Sequence, residues 1–137
     1  MEKYMVTVVE LKTQHEIKLV IEADEAETTE NIILRAQVKD SLISVFDYNY
    51  FSAYQKLRNK ILGLGYGIKC NGSRLNAVQS AMMGTSENIY LVELGRQAFT
   101  KDIVSLYDYA EISAFPDTQE QTAFFQRWID SLNQGQS

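Results

Sequence analysis

The hydrophobic period of the chain changes near residue 48, and that change decides the fold class. Ahead of it the pattern has the period of two that a half-buried strand needs. Residues 4–10 and 16–23 are β-branched and alternate, and Lys12–His15 fits the hairpin connection between them. Residues 32–38 place Ile32, Leu34, Ala36 and Val38 on one face and Arg35 and Gln37 on the other. The acidic stretch Asp24–Glu30 reads as a loop. Residues about 3–40 therefore predict an antiparallel meander of three strands.

Behind the change the steps become three and four. Phe51, Tyr54, Leu57, Ile61 and Leu62 share one helical face, which predicts a helix over about 49–62. Asp47 or Asn49 caps its start, and Gly63 or Gly65 ends it. Residues 66–70 read as a short strand closed by the turn dipeptide Asn71-Gly72. Residues 74–83 carry a weak helical pattern beginning at Ser73. Residues 88–94 are apolar on both faces, as in a central strand, and 103–107 fit a strand or a helical turn. Asp117-Thr118-Gln119-Glu120 has capping-box form, and Phe125, Trp128, Ile129 and Leu132 follow at helical spacing. This predicts a C-terminal helix over about 118–132, docked by its aromatic face, with a frayed tail from Asn133 to Ser137. The sum is a single α+β domain over residues 1–137. It has an antiparallel sheet of about five to six strands and two or three helices packed mainly on one face.

A chain of 137 residues buries enough surface for a core without cross-links. One cysteine, Cys70, excludes an internal disulfide framework, and one histidine, His15, excludes a Cys/His zinc cluster. The N-terminal apolar run is interrupted by charges, unlike a secretion signal. No window approaches the ~18 apolar residues of a membrane span. These features lead to the expectation of a cytoplasmic protein with no membrane partner, no metal and no cofactor.

Charge is distributed unevenly. Residues 1–47 hold ten acids and five bases, residues 87–137 eight acids and three bases, and residues 48–86 five bases without an acid. The five are Lys56, Arg58, Lys60, Lys69 and Arg74. They are either solvated cations paired with acids from the flanking segments, or a basic patch facing an anionic partner.

Motifs for catalysis are weak. Gly63, Gly65 and Gly67 follow a helix and lead into a strand, the reverse of a dinucleotide fingerprint, and read as a helix end and a turn. Cys70 has Lys69 and Arg74 near it in sequence, so a thiolate nucleophile stands beside the alternative of a buried structural cysteine. His15 fits a solvated turn. The spacing of the pairs Glu25/Glu27 and Asp108/Glu111 does not distinguish a glycosidase-like pair from surface acids. Tyr48, Tyr50, Phe51 and Tyr54 beside Lys56, Arg58 and Lys60 have the composition of a nucleic-acid stacking surface, but Phe51 and Tyr54 also belong to the predicted core stripe. Asn71, Ser73, Arg74 and Asn76 crowd four polar side chains around one turn. The turn is either self-bonded structure or a recognition loop.

The segment from Gly67 to Met82, with the Tyr-Leu-Val-Glu-Leu-Gly strand and the Phe-Phe-Gln-Arg-Trp-Ile-Asp-Ser-Leu helix, resembles a family of small bacterial proteins that look like the immunity partners of polymorphic or contact-dependent toxins. The resemblance covers roughly residues 48–132 and rests on Cys70, Asn71, Gly72, Arg74, Asn76, Ser80 and Met82. Relatives carry proline and glycine around Ser80, where this chain has Gln79 and Ala81. Their pattern implies a loop where the residues alone suggest a helix. The resemblance implies a non-enzymatic protein that occludes a cognate toxin's active site. On this reading Lys56, Arg58, Lys60, Lys69, Asn71, Arg74 and Asn76 are the candidate binding residues. A small anionic-ligand or nucleic-acid binding domain, and a Cys70-dependent enzyme, are the alternatives.

Overall fold

A computed structural model describes residues 1–26 and 31–134. The N-terminal half is a meander of four strands rather than three. These are β1 (Glu2–Glu10), β2 (Glu16–Glu25), β3 (Ile32–Val38) and β4 (Ser41–Asp47). Each neighbouring pair is antiparallel, with Val6 opposite Leu19, Ala23 opposite Leu34 and Leu34 opposite Val45. The helix α1 (Tyr50–Gly63) and the strand β5 (Tyr66–Ile68) follow, and β5 pairs with β1. The resulting sheet has the order β4-β3-β2-β1-β5, so β4 and β5 are its edges.

The fourth strand carries no turn signal in the sequence. Its hairpin turns through Lys39, which adopts a left-handed φ of 54° without glycine or asparagine. Leu42 and Phe46 then make the outer face as apolar as the inner Ile43 and Val45, which erases the alternation. The predicted loop at Asp24–Glu30 gives way to strand as far as Glu25, and residues 27–30 lie outside the described residues.

A second sheet of three strands has the order β6 (Ala77–Val78), β7 (Asn88–Leu91) and β8 (Ile103–Ser105). Residues 88–91 are indeed its central strand, and 103–105 form strand rather than a helical turn. The helical reading of residues 74–83 is corrected. Short 3₁₀ turns at Asn71–Ser73 and Ala81–Met83 flank β6. Polar side chains take over the backbone there: Asn76 donates to the Val92 carbonyl, and Gln79 donates to the carbonyls of Ser86 and Asn88. Such side-chain bonds compete with a helix.

The last helix, α2 (Thr118–Gln134), starts at the predicted capping box, with Glu120 N–H donating to the Asp117 carboxylate at 2.9 Å. Its docked stripe differs in part from the aromatic face read from the spacing. Trp128, Ile129 and Leu132 of the predicted stripe dock and are joined by Gln121 and Phe124, whereas Phe125 is 39% exposed. Most of the predicted tail, residues 135–137, lies outside the described residues.

The main core lies between α1 and the inner face of the five-stranded sheet. Ile21, Leu34, Tyr54, Leu57, Ile61 and Ile68 are fully buried there. Trp128, Val78 and Val92 form a smaller cluster under α2. Among the described residues no helix is long and apolar enough to cross a membrane.

Candidate protein-binding surface

The five cations of the acid-free segment do not converge. Arg58 is 1% exposed and lies between α1 and α2. Its Nη2 donates to Gln121 Oε1 at 2.8 Å and to Thr118 Oγ1 at 3.2 Å, and its Nε donates to Asn59 at 2.9 Å. The guanidinium stands 6.0 Å from the centre of the Tyr54 ring, and Nη1 has no hydrogen-bond partner among the described residues. Burial lowers the Arg58 pKa. Lys69 is also buried, with ion pairs to Glu16 at 2.7 Å and Glu111 at 2.9 Å. Its hydrogen bonds to those two acids hold its pKa above the ordinary lysine value. Arg74 donates to Asn71 at 3.0 Å. Only Lys56 and Lys60 remain exposed side by side, one helical turn apart on α1.

The polar turn is structural. Asn71, Gly72 and Ser73 are buried, and Asn71 donates to the Ser105 carbonyl. Gln121 donates to the carbonyls of Gly72 and Arg74, tying the turn to α2. A side chain at Gly72 would meet the Tyr54 ring at 2.8 Å, so the turn needs glycine there. Asn76 is spent on Val92. Thus Asn71, Arg74 and Asn76 hold the fold and offer no common surface with the lysines. The sequence signal that missed this was Gln121, an unremarkable residue on an amphipathic helix that proves to bridge three segments.

Cys70 lies in the same interior. Its Sγ is 3.0 Å from the Tyr54 hydroxyl, which also contacts Ser73 Oγ at 2.6 Å. Burial pushes the thiol's pKa up, the opposite of what a nucleophile at neutral pH requires. His15 is exposed at the β1–β2 turn, remote in the chain from this pocket. The proposed stacking cluster is dispersed as well: Tyr50, Phe51 and Tyr54 are buried and Tyr48 alone is exposed. Among the described residues no group of three or more Asp, Glu, His and Cys side chains could hold a metal.

What the fold leaves open is the outer face of the sheet. Near β5 that face is covered, with Phe115 seated over Gly67. Toward β4 it is bare among the described residues. Met5 pairs with Val20, Gln37 with Leu42, and Ile33 with Phe46 across neighbouring strands. Met5 is 64% exposed, Leu42 72% and Phe46 61%, with Val20 also exposed. The row Lys3, Glu22, Arg35 and Ser44 runs between them, alternating in sign along the three charged positions. Shallow grooves of about 400 Å³ and 390 Å³ flank the β4 end, the first lined by Val20, Arg35 and Leu42, the second by Phe46, Lys56 and Lys60. A recess of about 380 Å³ opens beside Tyr4 and Tyr50 at one end of the sheet, with Glu2, Asp24, Glu25 and Glu87 in its wall. No protein-family model matches the chain, and no curated protein matches it.

Proposed function

We propose that the chain is a non-enzymatic protein-binding module, acting as an immunity protein that neutralises a cognate bacterial toxin by occluding its active site. The observation that carries this reading is the bare β1–β4 face. Large apolar side chains exposed together on a flat sheet, interleaved with charges of both signs, have the composition of an interface core and its polar rim. Met5, Val20, Leu42 and Phe46 supply the apolar contact, and Glu22 and Arg35 supply orientation and partner choice. The cytoplasmic setting rests on the charge-interrupted N-terminal run and the absence of an apolar span, the link to a toxin on the sequence resemblance, and the choice of working face on the exposed apolar residues of the sheet.

The test is co-purification of tagged protein from the native host, with the captured partner identified and its toxicity assayed with and without this chain. Exchanging Met5, Val20, Leu42 and Phe46 together for serine removes mainly exposed apolar surface. The quadruple variant is expected to keep its fold and weaken the partner by about a hundredfold or more, as the loss of an interface core does. Unchanged affinity would remove the sheet face from the account. A bare protein, or one carrying a nucleic acid or small ligand, would overturn the protein-binding reading itself.

A further inference from the structure

The edge strand β4 is the most specific part of the open face. Val38 and Ser41 face each other across the two-residue turn Lys39–Asp40 and so form a hydrogen-bonded pair. This turns every second residue from Leu42 away from β3, and Lys56 Nζ reaches the Phe46 carbonyl oxygen at 3.1 Å. That fixes the direction of the Phe46 backbone groups. In an antiparallel pair, alternate residues point their N–H and C=O away from the partner strand. The backbone groups of Leu42, Ser44 and Phe46 therefore face outward, and among the described residues β4 pairs with no strand on that side. Period two also places the side chains of Leu42 and Phe46 on the outer face, and those of Ile43 and Val45 on the inner one.

The inner side of this edge is basic. Lys56 and Lys60 line the groove with Ser44, Val45 and Phe46. Lys56 is already paired with Asp47 at 3.1 Å, and Lys60 has no ion pair among the described residues. We propose that β4 receives an extended segment of the partner protein as a sixth strand, and that this segment alternates apolar and acidic residues. Its backbone pairs with Leu42, Ser44 and Phe46. Its apolar side chains lie beside Leu42 and Phe46 on the outer face. Its carboxylates, one face over, meet Lys56 and Lys60. This is strand addition, in which the backbone supplies affinity and alternate side chains supply choice. A second copy of β4 is the poorer occupant. Antiparallel pairing about Ser44 would bring the two copies of Lys60 together at the symmetry axis.

This inference rests on the protein-binding reading and adds the chemistry of the bound segment. The probe is a fluorescent capped peptide of alternating valine and glutamate, seven residues long. The controls are a block-ordered peptide of the same composition and a valine–lysine peptide. Wild-type protein is expected to bind the alternating acidic peptide in preference to both controls, with slowed amide exchange at Leu42, Ser44 and Phe46. Lys60→Glu, at an exposed site, is expected to weaken the acidic peptide severalfold, and Lys56→Glu/Lys60→Glu to weaken it about tenfold while favouring the lysine peptide. Equal binding of the block-ordered peptide, indifference to the charge reversals, or self-association of the chain through this edge would overturn the proposal. If the captured partner loses affinity for the serine quadruple variant but not for the charge reversals, the edge-strand claim fails and the protein-binding reading stands.

Discussion

Replacing Arg58 by methionine should cost less than replacing its partner Gln121 by alanine, although Arg58 is the charged member of the pair. The reason lies in what each change strands. Gln121 supplies a donor to the Gly72 carbonyl, and the Arg74 carbonyl keeps a second donor in Ala77 N–H. Gln121→Ala thus orphans one buried carbonyl, at about 1–3 kcal/mol, and strips the guanidinium of its shortest bond, at about 1.5–3 kcal/mol. The total is about 4 kcal/mol. Arg58→Met leaves no comparable orphan. Gln121 Oε1 keeps Gln55 as donor at 3.0 Å, and Thr118 Oγ1 keeps Asn59 at 2.8 Å. It also removes a buried charge with no carboxylate ion pair, and an Nη1 with no hydrogen-bond partner, among the described residues. Methionine fills the space of the arginine stem, so the net change should lie within about 1 kcal/mol of zero. Arg58→Ala opens a cavity instead and should cost about 2–3 kcal/mol. Urea unfolding separates the three. With a slope of about 2 kcal/mol per molar, Gln121→Ala lowers the midpoint by about 2 M and Arg58→Met by less than about 0.5 M. Arg58→Met as damaging as Gln121→Ala would refute this account of the node, because the charge itself would then be required.

Gly72→Ala should destabilise by about 1–3 kcal/mol, since its Cβ would lie 2.8 Å from the Tyr54 ring; a melting temperature within 1 °C of the parent, the order of ~0.3 kcal/mol, would contradict that packing. Cys70 should react with Ellman's reagent only as fast as the protein opens, and labelling of the native state at the rate of a free thiol would restore the nucleophile alternative. The Lys69 cluster should shape stability at both ends of the pH range. Its hydrogen bonds to Tyr109 and Lys69 hold the Glu111 pKa below the ordinary carboxylate value, so that contribution is present above about pH 4.5 and is lost on acidification below it. The Lys69 pKa is raised, so its contribution is complete below about pH 10.4 and is lost as the pH climbs from there toward the folded-state value. Thermal melts of Lys69→Met across pH should show the alkaline limb flattened and the acid limb reduced, since Tyr109 still bonds Glu111, and unchanged limbs would remove the cluster from the pH profile.

Much of the scaffold is legible from local pattern. The alternation at Ile32–Val38, the stripe from Phe51 to Ile61 and the box at Asp117–Glu120 each predict the element that forms. These signals are local, so tertiary context has little to override. The errors fall where the deciding interactions are distant in sequence. β4 is hidden because its turn uses Lys39 and its outer face is apolar. The 74–83 segment is shaped by Gln79, whose amide also accepts from Phe51 N–H at 3.1 Å. The charge pattern misleads most. An acid-free run of five cations suggests a patch, but α1 turns Arg58 inward while Lys56 and Lys60 face out, and β-pairing draws Lys69 to Glu16 and Glu111. Linear charge density says nothing about which side of a helix or sheet each cation takes. Only two of the seven candidate binding residues, Lys56 and Lys60, therefore remain on the proposed surface.

The most direct test of that surface is hydrogen–deuterium exchange on the complex with the captured partner, compared with the free chain. The account predicts protection confined to residues 2–10, 16–25 and 32–47, strongest at β4, with α2 and the second sheet unchanged. Protection centred instead on α2, or on the acidic recess around Tyr4 and Glu87 with β4 exchanging as in the free chain, would contradict it.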